Sequence, residues 1–232
     1  MTGRRARPLT GELLESFPAP CRICLFWERG EAPPSAAFAG DRTRADSSPR
    51  AEDVAALVRK QAWVSTRLQE GHAPGRAVQV EGMLAGWVLF APREAFAPRP
   101  PPAPRLSEDA LQLATLYVHP QMRGHGLGRL LLHAALREAV RLERSAVEAY
   151  GDRRWRDRGC LLPATWLLRE GFEVHRESPR LPLLRLEVRR TLRWAPSLEA
   201  ALEEVLGRLP RPVPAPEQLT RAVPLEEPAE SR

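Results

Sequence analysis

Apolar residues recur along this chain at two different spacings, and the spacing changes from segment to segment. Between residues 126 and 143, Leu127, Leu131, Ala135, Ala139 and Leu142 fall on one stripe, with Leu130 and Ala134 beside it. Arg129, His133, Arg137, Arg141 and Arg144 lie outside that stripe. A repeat of three and four residues with charge on the far side predicts a helix laid against a sheet. Residues 51–69 are rich in helix formers and stop at Gly71, and residues 161–169 stop at Gly171, so both predict helices. Residues 77–80 and 84–90 are short β-favouring runs divided by Glu81-Gly82, which predicts a hairpin. Residues 111–118, 146–150, 172–175 and 183–188 read as further strands. Helix, three strands, helix, strand, helix, two strands is the order of a mixed α/β sheet, not of a regularly alternating doubly wound one.

Three stretches interrupt the periodicity. Residues 29–50 mix Ala, Pro, Ser, Gly and charge, and residues 92–108 contain Pro98, Pro100, Pro101, Pro102 and Pro104, which exclude helix and central strand. Residues 210–232, rich in proline and glutamate, predict a disordered tail. Before that tail, within 191–209, Leu198, Ala201, Leu202, Val205, Leu206 and Leu209 keep helical spacing between Ser197, a suitable N-cap, and Pro210. Such an amphipathic helix either packs back on the body or receives a partner.

Composition narrows the class. A chain of 232 residues with 43% hydrophobic and 28% charged residues is globular, not disordered, collagenous or a rod. No apolar run approaches the ~20 residues of a membrane span. The N-terminus is basic, but Pro8, Glu12 and Glu15 stand where an export signal needs an apolar segment, so a cytoplasmic protein is expected. Cys21, Cys24 and Cys160 are too few for a disulfide scaffold and are expected as thiols. Residues 195–232 hold four arginines and seven glutamates, a balance of −3, so residues 1–194 carry +9 of the net +6. A basic body suits an anionic ligand, a phosphorylated cofactor or nucleic acid.

The chemistry concentrates at Leu116-Tyr117-Val118-His119-Pro120-Gln121-Met122-Arg123-Gly124-His125-Gly126-Leu127-Gly128-Arg129. Here a strand runs into a glycine turn that opens onto the strongest helix. Gly124, Gly126 and Gly128 let successive N–H groups curl into one concavity. The helix start adds unpaired donors and a partial positive charge, so the turn predicts a backbone-built pyrophosphate site, with Arg123 and Arg129 at its rim. A dinucleotide fingerprint fails, because Arg129 stands at its third glycine, and a P-loop fails, because the single lysine, Lys60, is followed by Gln61. Arg123, Gly126 and Gly128 do satisfy R-x-x-G-x-G.

With Leu167-Leu168-Arg169-Glu170-Gly171-Phe172 as a later helix end, this stretch resembles the GCN5-related N-acetyltransferase (GNAT) superfamily. The resemblance extends over residues 1–190, with residues 4–8 as a first strand. It implies a mixed, mostly antiparallel sheet flanked by helices, here with a C-terminal helical extension, and acetyl-CoA as the acyl donor. It places the pantetheine arm on the main chain of Leu116 and Val118, in a gap between that strand and 146–150. It places the pyrophosphate on Arg123, Gly124, His125, Gly126, Leu127, Gly128 and Arg129. A backbone N–H near Val118 would polarise the thioester carbonyl while an amine attacks directly in a ternary complex. Residues 111–118 hold no carboxylate, so Glu148, sharing a strand face with Tyr150, is the expected general base, with Glu28 and Asp109 behind it. Many relatives carry an Asn and a Tyr where this chain has Cys160 and Leu167. That leaves the general acid unassigned, with Cys160 expected near the cofactor.

Phe26, Trp27 and Glu28 are expected to shape the acceptor pocket, which takes a small amine or a protein or peptide amine. Cys21-Arg22-Ile23-Cys24 lacks a second half for zinc, so no metal is expected. The cluster Arg153, Arg154, Arg156 and Arg158 around Trp155 invites a nucleic-acid reading, which Asp152 and Asp157 weaken. Two readings stand beside the acetyltransferase: a regulatory module that binds acyl-CoA without turnover, and a basic nucleic-acid-associated protein. A membrane partner is not expected, and the sequence leaves a homodimer open.

Overall fold

The computed structural model describes residues 5–32, 50–99, 103–155 and 160–191. Most of the expected linker after Arg29, the C-terminal helix and tail, Arg4, Arg156 and Arg158 lie outside the described residues.

One sheet organises the chain. β1 (Arg5–Pro8), β2 (Gly75–Val80), β3 (Met83–Pro92) and β4 (Ala110–Val118) pair antiparallel in that order. β5 (Ala146–Asp152) lies parallel to β4. A two-residue strand, β6 (Leu162–Pro163), pairs with the end of β5. β7 (Glu173–Arg176) forms the far edge, and β8 (Leu183–Glu187) runs antiparallel between β5 and β7. The expected hairpin between β2 and β3 closes on Glu81 and Gly82, both at positive φ (50° and 84°). That pair of left-handed residues matches the right-handed twist of the strands it joins.

Alternation along the strands sends side chains to two cores. On one face, α4 (Leu127–Arg141) and α5 (Ala164–Arg169) cover Val88, Phe90, Leu111, Leu113, Val147 and Ala149. α4 buries Leu127, Leu131, Leu132 and Ala139 almost completely, so the stripe read from the sequence is its inner face, widened by Leu132 and Leu136. Each fully buried leucine contributes about 2 kcal/mol. Gly86 on β3 makes this approach possible: a Cβ there would meet Tyr117 O at 2.7 Å and the Leu131 and Leu127 side chains at 3.2 and 3.3 Å. On the other face, Trp87, Leu89, Ala114 and Tyr150 pack beneath Leu14, Phe17, Trp27 and Val64. These last come from a 3-10 turn (Leu13–Ser16) and Phe17 at its C-terminal cap, from α2 (Phe26–Arg29), which follows the five-residue α1 (Ala19–Ile23), and from α3 (Ala51–Gln69).

Two of the boundaries that differ from the sequence reading have a clear cause. The helix expected from 161 starts at Ala164, because Leu162 and Pro163 pair with Gly151 and Asp152. The strand expected to reach 188 ends at Glu187, where α6 (Val188–Thr191) begins. The short helices α1 and α2 went unforeseen, since four or five residues carry no readable period.

Candidate active site

The sheet opens beside β4. β4 and β5 are in register over three residues, Ala110 with Ala146, Leu111 with Val147 and Gln112 with Glu148, and pair no further. A bulge helps to turn β4 away: Leu89 faces Thr115 and Phe90 faces Leu113, so Ala114 is an extra residue on β4. Such an insertion bends the strand and increases its twist. Beyond the bulge, the His119 N–H bonds Ala85 O on β3 at 2.8 Å. Polar groups alternate sides along a strand, so Leu116 and Val118 aim their N–H and C=O groups at the opposite edge, into the gap that β5 leaves. The Val118 carbonyl accepts a bond from Arg123 Nε at 3.2 Å across that edge.

β4 then delivers the chain through a short 3-10 turn (Pro120–Met122) into the glycine loop. Gly124 (φ 79°) and Gly126 (φ 83°) both occupy the left-handed region, where a side chain is strained by ~1–2 kcal/mol. Gly126 is also the N-cap of α4, and its carbonyl takes the Leu130 N–H at 3.1 Å. Among the described residues, no backbone carbonyl takes the N–H of residues 124–129. The loop therefore presents a run of free donors at the positive end of a 15-residue helix. A Cβ at Gly124 would meet nothing within 4 Å, so the concavity is open on that side. Of the rim residues, Arg129 is paired with Glu170 at 2.8 Å, and His125 Nδ1 lies 2.8 Å from Arg123 O.

Trp166 on α5 lies beside the helix start, a neighbour that the sequence reading missed. A Cβ at Gly128 would touch its ring at 3.5 Å and Leu116 Cδ2 at 3.9 Å, so the indole and the Leu116 side chain both lie against the start of α4. Its signal was an aromatic one position before Leu167. Leu167 itself is completely buried in the core under α4 and offers no hydroxyl.

On the opposite face, the expected acceptor residues meet the mouth of the gap through Tyr150. Trp27 stacks on Tyr150 (6.2 Å, 18°) and meets Phe96 edge-on, and Phe96 stacks on Trp63. Arg99 caps Phe26 at 4.2 Å from the ring centroid and bonds its carbonyl at 2.5 Å. The Tyr150 hydroxyl donates to Pro104 O at 2.5 Å, and burial pushes its pKa up to about 12. Glu28 does not present its charge to a ligand: it is buried, and Lys60 Nζ lies 2.7 Å from its Oε1, an ion pair without hydrogen-bond alignment. Cys160 sits behind this wall, its carbonyl accepting from Trp27 Nε1 at 3.1 Å and its sulfur 3.4 Å from Cys24 Sγ.

Glu148 is in a separate place. It is fully buried, accepts the Ser107 N–H at 2.8 Å, and pairs with Arg185 at 3.0 Å. Arg185 also pairs with Asp109 at 2.8 Å, which holds Asp109 below its ordinary range. Glu148 is level with Gln112, six residues and therefore about 20 Å back along the strand from Val118. The structure thus brings Leu116, Val118 and the glycine loop together, and sets Glu148 and Asp109 apart from them. His175 Nε2 lies 3.3 Å from Ser107 Oγ and 3.8 Å from Glu148, so one nitrogen faces both and no serine–histidine–carboxylate relay forms. Of the basic cluster, Arg153 is tied to Glu177. Among the described residues, no group of three His, Cys, Asp or Glu side chains is arranged for a metal ion, and no helix is long and apolar enough to cross a membrane.

Residues 36–154, just over half of the chain, match the model of the acetyltransferase (GNAT) family. Solved structures are similar over most of the chain. The PaiA N-acetyltransferase of Thermoplasma acidophilum, in complex with coenzyme A, is 14% identical with a TM-score of 0.50, covering 80% of this chain and 99% of that one. An N-acetyltransferase of Staphylococcus aureus is 17% identical (TM-score 0.48, 80% and 99% covered). YncA of Salmonella typhimurium, solved with its cofactor acetyl-CoA, is 19% identical (TM-score 0.47, 80% and 94% covered). The first of these carries the likeness of fold. No curated protein matches the sequence.

Proposed function

The chain belongs to the acetyltransferase (GNAT) family, and on that footing we propose that it moves an acetyl group from acetyl-CoA to an amine by direct attack. The observation that carries the proposal is the parting of β4 from β5 after Gln112, immediately before a loop whose amides are free. A gap lined by strand groups that no neighbouring strand pairs, and ending in an anion cradle, matches a ligand with an amide-bearing arm and a diphosphate. The residues fit that group: residues 124–129 offer N–H donors, the main chain of Leu116 and Val118 faces the gap, and Trp166 packs beside Gly128 at the helix start.

Bound acetyl-CoA supplies an acyl carbon joined to a thiolate leaving group. The chain's own work is positioning and polarisation. The amides of residues 124–129 and the α4 dipole hold the diphosphate. Arg123, at the entry to the loop, adds a full positive charge beside the same anion. The Val118 N–H donates to the thioester oxygen, a contact that strengthens as charge grows there and is worth about 3 kcal/mol. Phe26, Trp27 and Tyr150 wall the acceptor side, and holding the amine in line supplies much of the rate. The amine's proton leaves through water on that face. Glu148 serves as a positioning carboxylate, anchoring Arg185 and the Ser107 loop, because its oxygens already hold donors and its register sets it far from Val118.

A second reading, a module that binds acyl-CoA without turnover, is favoured by Leu167 and Cys160 standing where relatives carry Tyr and Asn. Acetyl-CoA titration followed by thiol release over a panel of small amines, peptide N-termini and lysine peptides tests both. Amine-dependent release supports transfer. Binding without release supports the module, and no binding at high micromolar acetyl-CoA overturns both.

A further inference from the structure

We propose that Cys24 and Cys160 form a reversible disulfide, an oxidation site that staples the acceptor wall to the start of β6. Three observations carry it. The two sulfurs, 136 residues apart in sequence, lie 3.4 Å apart as free thiols. A disulfide needs about 2.05 Å, so only about 1.4 Å of approach separates the pair from a bond. Both ends are also held in place from outside: Lys60 Nζ bonds the Cys24 carbonyl at 2.6 Å, and Trp27 Nε1 bonds the Cys160 carbonyl at 3.1 Å.

The two thiols are coupled through one S–H···S contact, which favours a thiolate at one sulfur at the expense of the other. The contact from Cys160 lowers Cys24, against the opposing pull of burial, and Lys60 assists while Glu28 opposes. The same contact and burial push Cys160 up. Cys21, three residues before Cys24, is pushed up to about 11 by burial, so it is the poorer nucleophile. The oxidant is a hydroperoxide. The Cys24 thiolate attacks the terminal peroxide oxygen, the O–O bond breaks, and Cys24 becomes a sulfenic acid as an alcohol, or water from hydrogen peroxide, departs with a proton. The Cys160 sulfur then attacks the Cys24 sulfur, the S–O bond breaks, and water leaves with the Cys160 proton. Two thiols have lost two electrons, and one peroxide has gained them.

The bond links the α1–α2 segment to residue 160, on the side of the gap where Trp27 stacks on Tyr150, and so fixes the wall that an acceptor must pass. Formation of the bond follows from the placement of the two sulfurs and does not depend on the acetyltransferase reading; its effect on an acceptor does.

The test treats the full chain with stoichiometric hydrogen peroxide, alkylates the remaining thiols, digests and weighs the peptides. The expected result is a mass lower by two hydrogens before alkylation, one alkylated cysteine (Cys21) in place of three, and a linked peptide pair containing Cys24 and Cys160. Dithiothreitol restores all three thiols. Cys21→Ser keeps the bond, and Cys24→Ser or Cys160→Ser, each checked for native circular dichroism, loses it. Three alkylated cysteines after peroxide, a bond to Cys21, a bond between two chains, or Cys24 carried to sulfinic acid without a bond would each overturn the proposal.

Discussion

Placing one negative charge in the glycine loop should cost coenzyme A affinity by an amount that can be worked out in advance. Gly124 is the position for it: φ is 79°, and a Cβ there meets nothing within 4 Å. Asn and Asp both tolerate the left-handed region, so Gly124→Asn and Gly124→Asp share any strain and differ only in charge. A carboxylate about 6 Å from a bound phosphate, at an effective dielectric constant of about 40, repels each phosphate charge by about 1.4 kcal/mol. Two diphosphate charges give about 2.8 kcal/mol, or roughly a hundredfold in Kd. Titration calorimetry of both variants with coenzyme A measures the ratio directly. The ratio should shrink at 0.5 M salt, because screening shortens the reach of the charge. Gly71 supplies the control. It has φ 86° and equally empty surroundings, but stands at the end of α3. Gly71→Asp and Gly71→Asn should bind alike. If Gly124→Asp binds coenzyme A within twofold of Gly124→Asn, the loop does not hold the diphosphate.

Further outcomes follow from the buried polar groups. Arg185→Met leaves Glu148 buried without its cation, a loss of about 3–5 kcal/mol, which calorimetric melting should register as a fall in Tm of roughly 6–20 °C; Arg185→Met with Glu148→Gln should recover much of it. Asp109 is held below its ordinary value by the Arg185 contact, so its contribution is present above about pH 4 and lost as pH falls through the lowered value. Acid melting curves of Arg185→Met should therefore lack this part of the wild-type decline. Tyr150 titrates near 12 in the fold, so the stability it gives is present below its ordinary value of 10.0 and lost as pH rises through 12. Tyr150→Phe should flatten that alkaline decline, and at neutral pH should lower stability by about 1–3 kcal/mol by leaving Pro104 O without its donor.

The parts of this molecule with long periods were legible in the sequence. α4 declared itself through Leu127, Leu131, Ala135 and Ala139, and the β2–β3 hairpin through Glu81-Gly82. The glycine loop was legible because positive φ and free amides need glycine, and glycine is visible in one letter. The parting of β4 from β5 was not legible from pattern, since pairing that stops at Gln112 leaves no mark on the residues beyond it; the family resemblance supplied it. Glu148 illustrates the opposite limit. Alternation gave its strand face correctly, beside Tyr150, but not its level along the sheet or its partners Arg185 and Ser107, which come from segments 37 and 41 residues away. Nor could spacing reveal that Glu28 faces Lys60, or that Cys24 meets Cys160, because each contact joins segments that only the fold brings together.

In the proposed mechanism, main-chain N–H groups of residues 124–129, together with Leu116 and Val118, receive the coenzyme. A titration of ¹⁵N-labelled protein with coenzyme A reads those amides one by one. The largest shifts should fall on Gly124, His125, Gly126, Leu127 and Gly128, with a second group at Leu116 and Val118, while Gly71 and Gly82 stay still. Saturable binding whose shifts fall elsewhere, with the loop amides unmoved, would contradict it.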